Sequence, residues 1–190
     1  MNKEIRLSGS GGQGIILAGI ILAEAGIIDG KNVIQTQSYG PEARGGASKA
    51  EVIISEDFID YPKVIVPDIV LAMTQESADK YAACLKENGV ILVDSTYVTK
   101  VPSGFKNVYQ IPITRIAKDD VGREIVSNMV ALGALVGLTR VVTFAALEKA
   151  VLARIPKGTE ELNRKALLLG YEEGVKLLKE QKKTMVKKCS

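Results

Sequence analysis

Along most of the chain short β-branched runs alternate with longer apolar stretches of helical character, the order that builds βαβ units and a largely parallel sheet. Ile5 to Ser8 reads as a first strand, and Gly14 to Ile27, rich in Ile, Leu and Ala, as a buried helix. Asn32 to Gln37 follows as a second strand. Ala47 to Ser55 alternates apolar with polar residues, and the connection before it is too short for a crossover helix, so it is expected to pair antiparallel to the second. Pro67 to Met73 and Val90 to Ser95 are continuous apolar strands, separated by an amphipathic helix from Gln75 to Asn88 that Gly89 closes; Val108 to Pro112 is a shorter strand. Beyond Asp119 the pattern turns helical, over Gly122 to Leu138, Thr143 to Ala153 with Thr143 as N-cap, and Thr159 to Lys179. Thr159 is placed to cap that last helix, and Glu160 and Glu161 suit its positive end. The expectation is an α/β fold of three layers, αβα, with a mostly parallel but mixed sheet and a helical C-terminal third. No repeat, low-complexity linker or break in composition divides residues 1–190, which read as one domain with a basic tail from about residue 179.

Two counts remove much of the available chemistry. With no histidine, the chain can supply no imidazole base, Ser-His-Asp triad, His-ligated zinc or haem histidine. Its two cysteines, Cys84 and Cys189, are too few for an iron–sulfur cluster, so any redox centre sits on another chain. Their scarcity suits a reducing cytoplasm. Cys84 lies among Ala82, Ala83 and Leu85 and reads as a buried packing thiol, and Cys189 as a disordered penultimate residue; neither is assigned a catalytic role. The longest apolar stretches, Gly14 to Ala23 and Met129 to Leu138, fall short of a bilayer span, so no membrane partner is expected. Net charge is +3, but five lysines stand against Glu180 between Lys179 and Ser190, which leaves the remainder close to neutral. With aromatics at 5%, nothing suggests a nucleic-acid surface. The tail reads as a solvated helix end that frays, with docking on an acidic partner as the other possibility.

Ser8-Gly9-Ser10-Gly11-Gly12-Gln13-Gly14 joins the first strand to the first helix and satisfies G-x-G-x-x-G at Gly9, Gly11 and Gly14. Glycines let backbone approach an oxyanion, and the unpaired amides of a helix start point at it with the positive end of the dipole behind them. The competing reading is a tight strand-to-helix turn that binds nothing. A dinucleotide site would need a carboxylate at the end of the second strand for the ribose. That strand ends Gln35-Thr36-Gln37-Ser38-Tyr39, with Asp29 before it and Glu42 in the loop after it as the nearest acids. The loop Ser38-Tyr39-Gly40-Pro41-Glu42-Ala43-Arg44-Gly45-Gly46 should lie beside the glycine turn, where Arg44 either forks onto a phosphate or carboxylate or pins the loop through Glu42. Asn128 is an interface or ligand donor, or a satisfied buried amide. Asp94 and Ser95 end the fifth strand at the same edge, and helix capping explains them equally well. The helices Gly122 to Leu138 and Leu162 to Leu178 are core, or partly uncovered surface for a partner.

The Gly9 to Gly14 turn together with the run from Gln35 through Ser55, which contains Gln-Thr-Gln-Ser-Tyr-Gly-Pro-Glu-Ala-Arg-Gly-Gly, resembles the gamma subunit or gamma domain of the 2-oxoacid:ferredoxin oxidoreductases. Tyr61-Pro62 and Leu71-Ala-Met-Thr-Gln75 are also similar to that family, and the likeness runs from about Ile5 to Ala153. The wording of the second motif looks more like the 2-oxoglutarate branch than the pyruvate branch. The resemblance implies a cytoplasmic, multi-subunit oxidoreductase that decarboxylates a 2-oxoacid on thiamine diphosphate, passes electrons through iron–sulfur clusters to ferredoxin and releases an acyl-CoA. It puts the thiamine diphosphate and the clusters on the alpha, beta and ferredoxin-like delta subunits, and associates the gamma domain with coenzyme A. On this reading Gly9, Gly11, Gly12, Gln13, Gly14, Tyr39, Arg44 and Gly45 form the coenzyme A site, with Gln13 either a side-chain donor or a helix-start residue. A free-standing dinucleotide-dependent enzyme and a purely structural assembly subunit are the alternatives.

Overall fold

In the computed structural model, residues 2–38, 47–101 and 103–188 are described, the side chains of 47 and 182–188 excepted. The strands are β1 (Asn2–Ser10), β2 (Asn32–Ser38), β3 (Ala47–Ser55), β4 (Ile69–Ala72), β5 (Val90–Asp94) and β6 (Asn107–Ile111). The helices are α1 (Ile15–Ile28), α2 (Gln75–Tyr81), α3 (Ile113–Arg115), α4 (Ser127–Thr139), α5 (Phe144–Arg154) and α6 (Glu160–Lys188). One six-stranded sheet has the order β2-β3-β1-β4-β5-β6. β3 runs against both neighbours, with Asn2 opposite Ser55 and Ser10 opposite Ala47, while β1, β4, β5 and β6 are mutually parallel. The mixed sheet expected from the short second connection is therefore present, and β1, β2, β4, β5 and β6 all end at one edge.

Alternation along the strands feeds two unequal cores. Ile5, Leu7, Val52, Ile54, Leu71 and Leu92 face the helices α1, α4, α5 and α6, whereas Val70, Ala72, Ile91 and Val93 face α2 and a single following turn. The thicker core depends on four glycines. A Cβ on Gly133 or Gly137 of α4 would overlap the carbonyl oxygens of Leu167 or Tyr171, and a Cβ on Gly170 or Gly174 of α6 those of Val130 or Ala134. The two helices thus meet backbone to backbone. Ser127 to Leu138 of α4 are buried throughout, so this helix is core rather than a free partner surface.

Some element ends differ from expectation. α2 stops at Tyr81 rather than Asn88: the chain tightens into a 3-10 turn at Ala82–Cys84, Leu85 is extended, and the Lys86 amide donates to the Pro67 carbonyl at 3.0 Å. That departure turns Cys84 out to solvent, so it is not the buried thiol expected. Helical structure begins at Ile113, before Gly122, which takes a left-handed φ of 93° and ends a π-helical turn instead of opening α4. α6 continues in backbone to Lys188, past the expected end at Lys179. Thr143 caps α5 by accepting from the Ala146 amide at 3.2 Å, and also donates to Asp29 at 2.7 Å. Thr159 instead donates its hydroxyl to the Pro156 carbonyl at 2.7 Å and accepts from Asn163 Nδ2 at 3.1 Å. No described helix is long and apolar enough to cross a membrane.

A buried charge cluster joins β1 to β3, and the sequence reading missed it. Arg6 and Glu51, 5% and 9% exposed, are cross-strand partners. Glu51 Oε1 accepts from Arg6 Nε at 2.8 Å and Lys49 Nζ at 3.0 Å, and Arg6 Nη2 donates to the Val64 carbonyl at 3.0 Å. The Arg6 guanidinium also lies 5.5 Å from the Tyr81 ring centre.

Candidate functional site

From β1 the chain crosses by way of α1 to β2 on one side of the sheet, then returns to β4 on the other, with α1 and α2 on opposite faces. The chain thus switches direction between β1 and β4, and the space outside their carboxyl ends is the usual ligand position in such sheets. The glycine turn occupies it. Gln13 donates its amide to the Ser10 carbonyl at 3.3 Å, and its side-chain oxygen accepts from the Ser10 amide at 2.8 Å. A Cβ on Gly9 would displace that curled Gln13 side chain.

Gly14 is the N-cap of α1 in a left-handed conformation, φ 70°, and a Cβ there would overlap Asn128. Asn128 Nδ2 donates to the Gly14 carbonyl at 3.4 Å, which also accepts from the Ala18 amide at 2.9 Å. Asn128 is thus a satisfied, buried amide. That bond ties the start of α4 to the N-cap of α1, whose positive end faces the turn. α1 has no acidic residue in its first turn, whereas the 3-10 turn that leads into α4 begins with Glu124 and α6 begins with Glu160 and Glu161. Packing accounts for Gly9, Gln13 and Gly14 but not for Gly11 and Gly12. Both are exposed, and Gly12 has φ 91° with open space where a Cβ would stand. Among the described residues, the amides of Gly11, Gly12 and Gly14 meet no acceptor. Such a turn can hold an oxyanion through backbone N–H groups.

Tyr39, Arg44 and Gly45 fall in residues 39–46, outside the described residues. The strands on either side fix where that segment leaves and returns: Ser38 opposes Lys49, and Ala47 opposes Ser10, one residue before Gly11. Asp94 is fully buried and structural, its carboxylate accepting from the Thr96 and Thr114 amides and from the Thr114 hydroxyl at 2.5 Å. At the same edge the hydrogen bond from Tyr97 to Glu124 holds its phenol above the usual tyrosine range.

The arrangement is poorly suited to a dinucleotide. The usual ribose carboxylate ends a strand adjacent to β1, but here β3 separates β1 from β2. Asp29 lies at the opposite end of β2 and is engaged by Thr143. A separate cavity of about 390 Å³ lies at the amino edge, lined by Lys3, Lys31, Asp68, Tyr109, Arg140 and others, and includes no residue of the glycine turn. Among the described residues no group of three or more His, Cys, Asp or Glu side chains is arranged to hold a metal ion.

Residues 4–173 match the family profile described as pyruvate ferredoxin/flavodoxin oxidoreductase. The chain is 55% identical to the 2-oxoglutarate synthase subunit KorC of Methanocaldococcus jannaschii, over 90% of this chain and 94% of that protein. It is similar to the crystal structure of the keto/oxoacid ferredoxin oxidoreductase gamma subunit from Geobacter sulfurreducens, with a TM-score of 0.85 and 57% identity, covering 92% of this chain and 97% of that one. The fold also matches 2-oxoglutarate:ferredoxin oxidoreductase from Magnetococcus marinus, solved with 2-oxoglutarate, coenzyme A and succinyl-CoA bound. There the TM-score is 0.79 and the identity 24%, and the match covers 94% of this chain but 31% of the other.

Proposed function

From the premise that this chain belongs to the pyruvate ferredoxin/flavodoxin oxidoreductase family, as the gamma subunit of a 2-oxoacid:ferredoxin oxidoreductase, we propose that it supplies the phosphate-binding part of a coenzyme A site. The observation that carries this reading is the start of α1, free of first-turn carboxylates, behind the exposed Gly11-Gly12 turn, whose amides meet no acceptor among the described residues. A pyrophosphate needs donors and positive potential without a competing carboxylate, and backbone amides there supply both. Gly11, Gly12 and Gly14 present the amides; Gly9 and Gln13 hold the turn in shape. Arg44 adds charge-assisted hydrogen bonds, and Tyr39 and Gly45 are assigned to the same site.

The likeness to a 2-oxoglutarate synthase subunit favours 2-oxoglutarate as the oxoacid over pyruvate. On this reading thiamine diphosphate and the iron–sulfur clusters belong to the alpha, beta and ferredoxin-like delta subunits. Ferredoxin takes the electrons, and the assembly works in the cytoplasm. With no histidine and two cysteines, the chain acts in oxidative decarboxylation as a binding and assembly subunit.

The test uses the assembled enzyme. Arg44→Ala is expected to weaken coenzyme A binding by about 2 kcal/mol, the scale of one charged hydrogen bond, or roughly 30-fold. Calorimetry with NAD and FAD as controls reads the effect. Unchanged affinity would remove Arg44 from the site, and NAD or FAD binding more tightly than coenzyme A would overturn the assignment.

A further inference from the structure

Close packing leaves few voids larger than a water molecule in a protein interior, yet the cavity at the amino edge measures about 390 Å³, within the size range of small-molecule sites. It lies between the amino ends of β1, β4, β5 and β6 and the later turns of α4 and α6. Ile54, Ile69, Val90, Leu138, Val141 and Leu178 give it apolar walls. Its charged lining sets Lys3, Lys31 and Arg140 against Glu56 and Asp68, which leaves one positive charge in excess. The acids are already engaged. Asp68 lies 2.9 Å from Lys86 and 3.8 Å from Lys3, and Glu56 has a partner of its own besides its attraction to Lys31. Asn107 Oδ1 accepts from Gln181 Nε2 at 3.1 Å, and Thr139 donates to the Leu135 carbonyl at 2.7 Å.

The two cations with donors to spare stand side by side. Lys31 Nζ donates to the Val141 carbonyl at 2.8 Å, and Arg140 is the residue before Val141. Arg140 donates to the Tyr171 hydroxyl, and its guanidinium lies 5.2 Å from the centre of that ring. Unlike Arg154 and Arg164, it is in no ion pair among the described residues. Both cations also line an adjoining cavity with Asp29, whose carboxylate is taken by Thr143. Arg140 is the C-cap of α4 at φ 57°, the one non-glycine residue with positive φ among the described residues. Glycine is the low-cost residue at such a cap, and a charged side chain held there against that cost is a pointer to function.

We propose that this cavity binds a short aliphatic carboxylate, its head on Lys31 and Arg140 and its chain between the sheet and α4. One excess positive charge matches a monocarboxylate. A phosphate ester would bring close to two negative charges, and an ammonium would meet charge of its own sign. The guanidinium fork suits a carboxylate, and the apolar walls suit a hydrocarbon chain. The site lies at the sheet edge opposite the glycine turn and is independent of coenzyme A.

The full-length chain is titrated with hexanoate by calorimetry, with acetate, hexylamine and inorganic phosphate as controls. Hexanoate is expected to bind at least about tenfold more tightly than any control, because acetate and phosphate lack the buried methylenes and hexylamine carries the opposite charge. Arg140→Gly should weaken hexanoate binding on the order of 10- to 100-fold, as loss of a charged hydrogen bond does, and Arg140→Lys should weaken it less. Glycine is at home in the left-handed cap, so the melting temperature of unliganded Arg140→Gly should fall by no more than about 2 °C. Amide chemical-shift changes on adding hexanoate should cluster at Lys31, Val90 and Val141 and leave Gly11 to Gly14 unmoved. Acetate or phosphate binding as tightly as hexanoate would reduce the site to surface charge and overturn the proposal. Tighter binding of hexylamine, no binding of hexanoate at millimolar concentration, or equal affinity in Arg140→Gly would overturn it too. Shifts centred on the glycine turn would put the carboxylate there, with the same result.

Discussion

Gly133→Ala is expected to lower stability by about 3 kcal/mol, the upper range for overpacking a close contact, and to lower Tm by roughly 6–12 °C in a chain of this size. Helix propensity alone predicts the opposite sign, since Ala in a helix interior is favoured over Gly by about 1 kcal/mol. The difference lies across the α4–α6 contact, where the added methyl would overlap the Leu167 carbonyl of a facing backbone that cannot rotate away. Gly170→Ala, which meets the Val130 carbonyl from the other side, should behave alike. Urea unfolding followed by circular dichroism decides between the two signs. A stabilised Gly133→Ala would mean that the helices do not approach as described.

Removal of the Arg6 guanidinium is the second large effect. Arg6→Met keeps most of the side-chain volume but leaves Glu51 buried with only Lys49 as partner, and the expected loss is about 3 kcal/mol. Replacing both members of a buried pair removes the stranded charge. Arg6→Met combined with Glu51→Leu should therefore regain most of the loss in the same urea measurement. Equal stability of the wild type and the single variant would contradict the account of the cluster. The single variant also deprives the Val64 carbonyl of its donor, and so should loosen the 56–68 connection as well as the β1–β3 pair.

The sequence reading found what local pattern encodes. β-branched runs and helical periods fixed the order of elements. The short link from β2 to β3 predicted their antiparallel pairing, and Gly9 to Gly14 marked the strand-to-helix turn that sits at the sheet's switch point. It missed what depends on pairs distant in sequence. Arg6 and Glu51 each look like an ordinary polar position on an alternating strand; only the register of β1 against β3, 45 residues apart, buries them together. Gly133 and Gly137, and Gly170 and Gly174, repeat at one-turn spacing within their own helices, which was a signal available to be used. Their meaning appears when the two faces meet. Gln75 to Asn88 looked like one helix because its periodicity is good, but the backbone bond from Lys86 to Pro67 ends helical structure early and exposes Cys84. Within the candidate site, the glycine spacing was legible, whereas the contact of Asn128 with Gly14 was not, because α4 lies more than a hundred residues downstream.

The most direct test is the structure of the assembled enzyme with coenzyme A. The account predicts the pyrophosphate lodged outside the carboxyl end of β1, within hydrogen-bond distance of the Gly11, Gly12 and Gly14 amides at the start of α1. Coenzyme A bound elsewhere in the assembly, with only solvent against that turn, would contradict it.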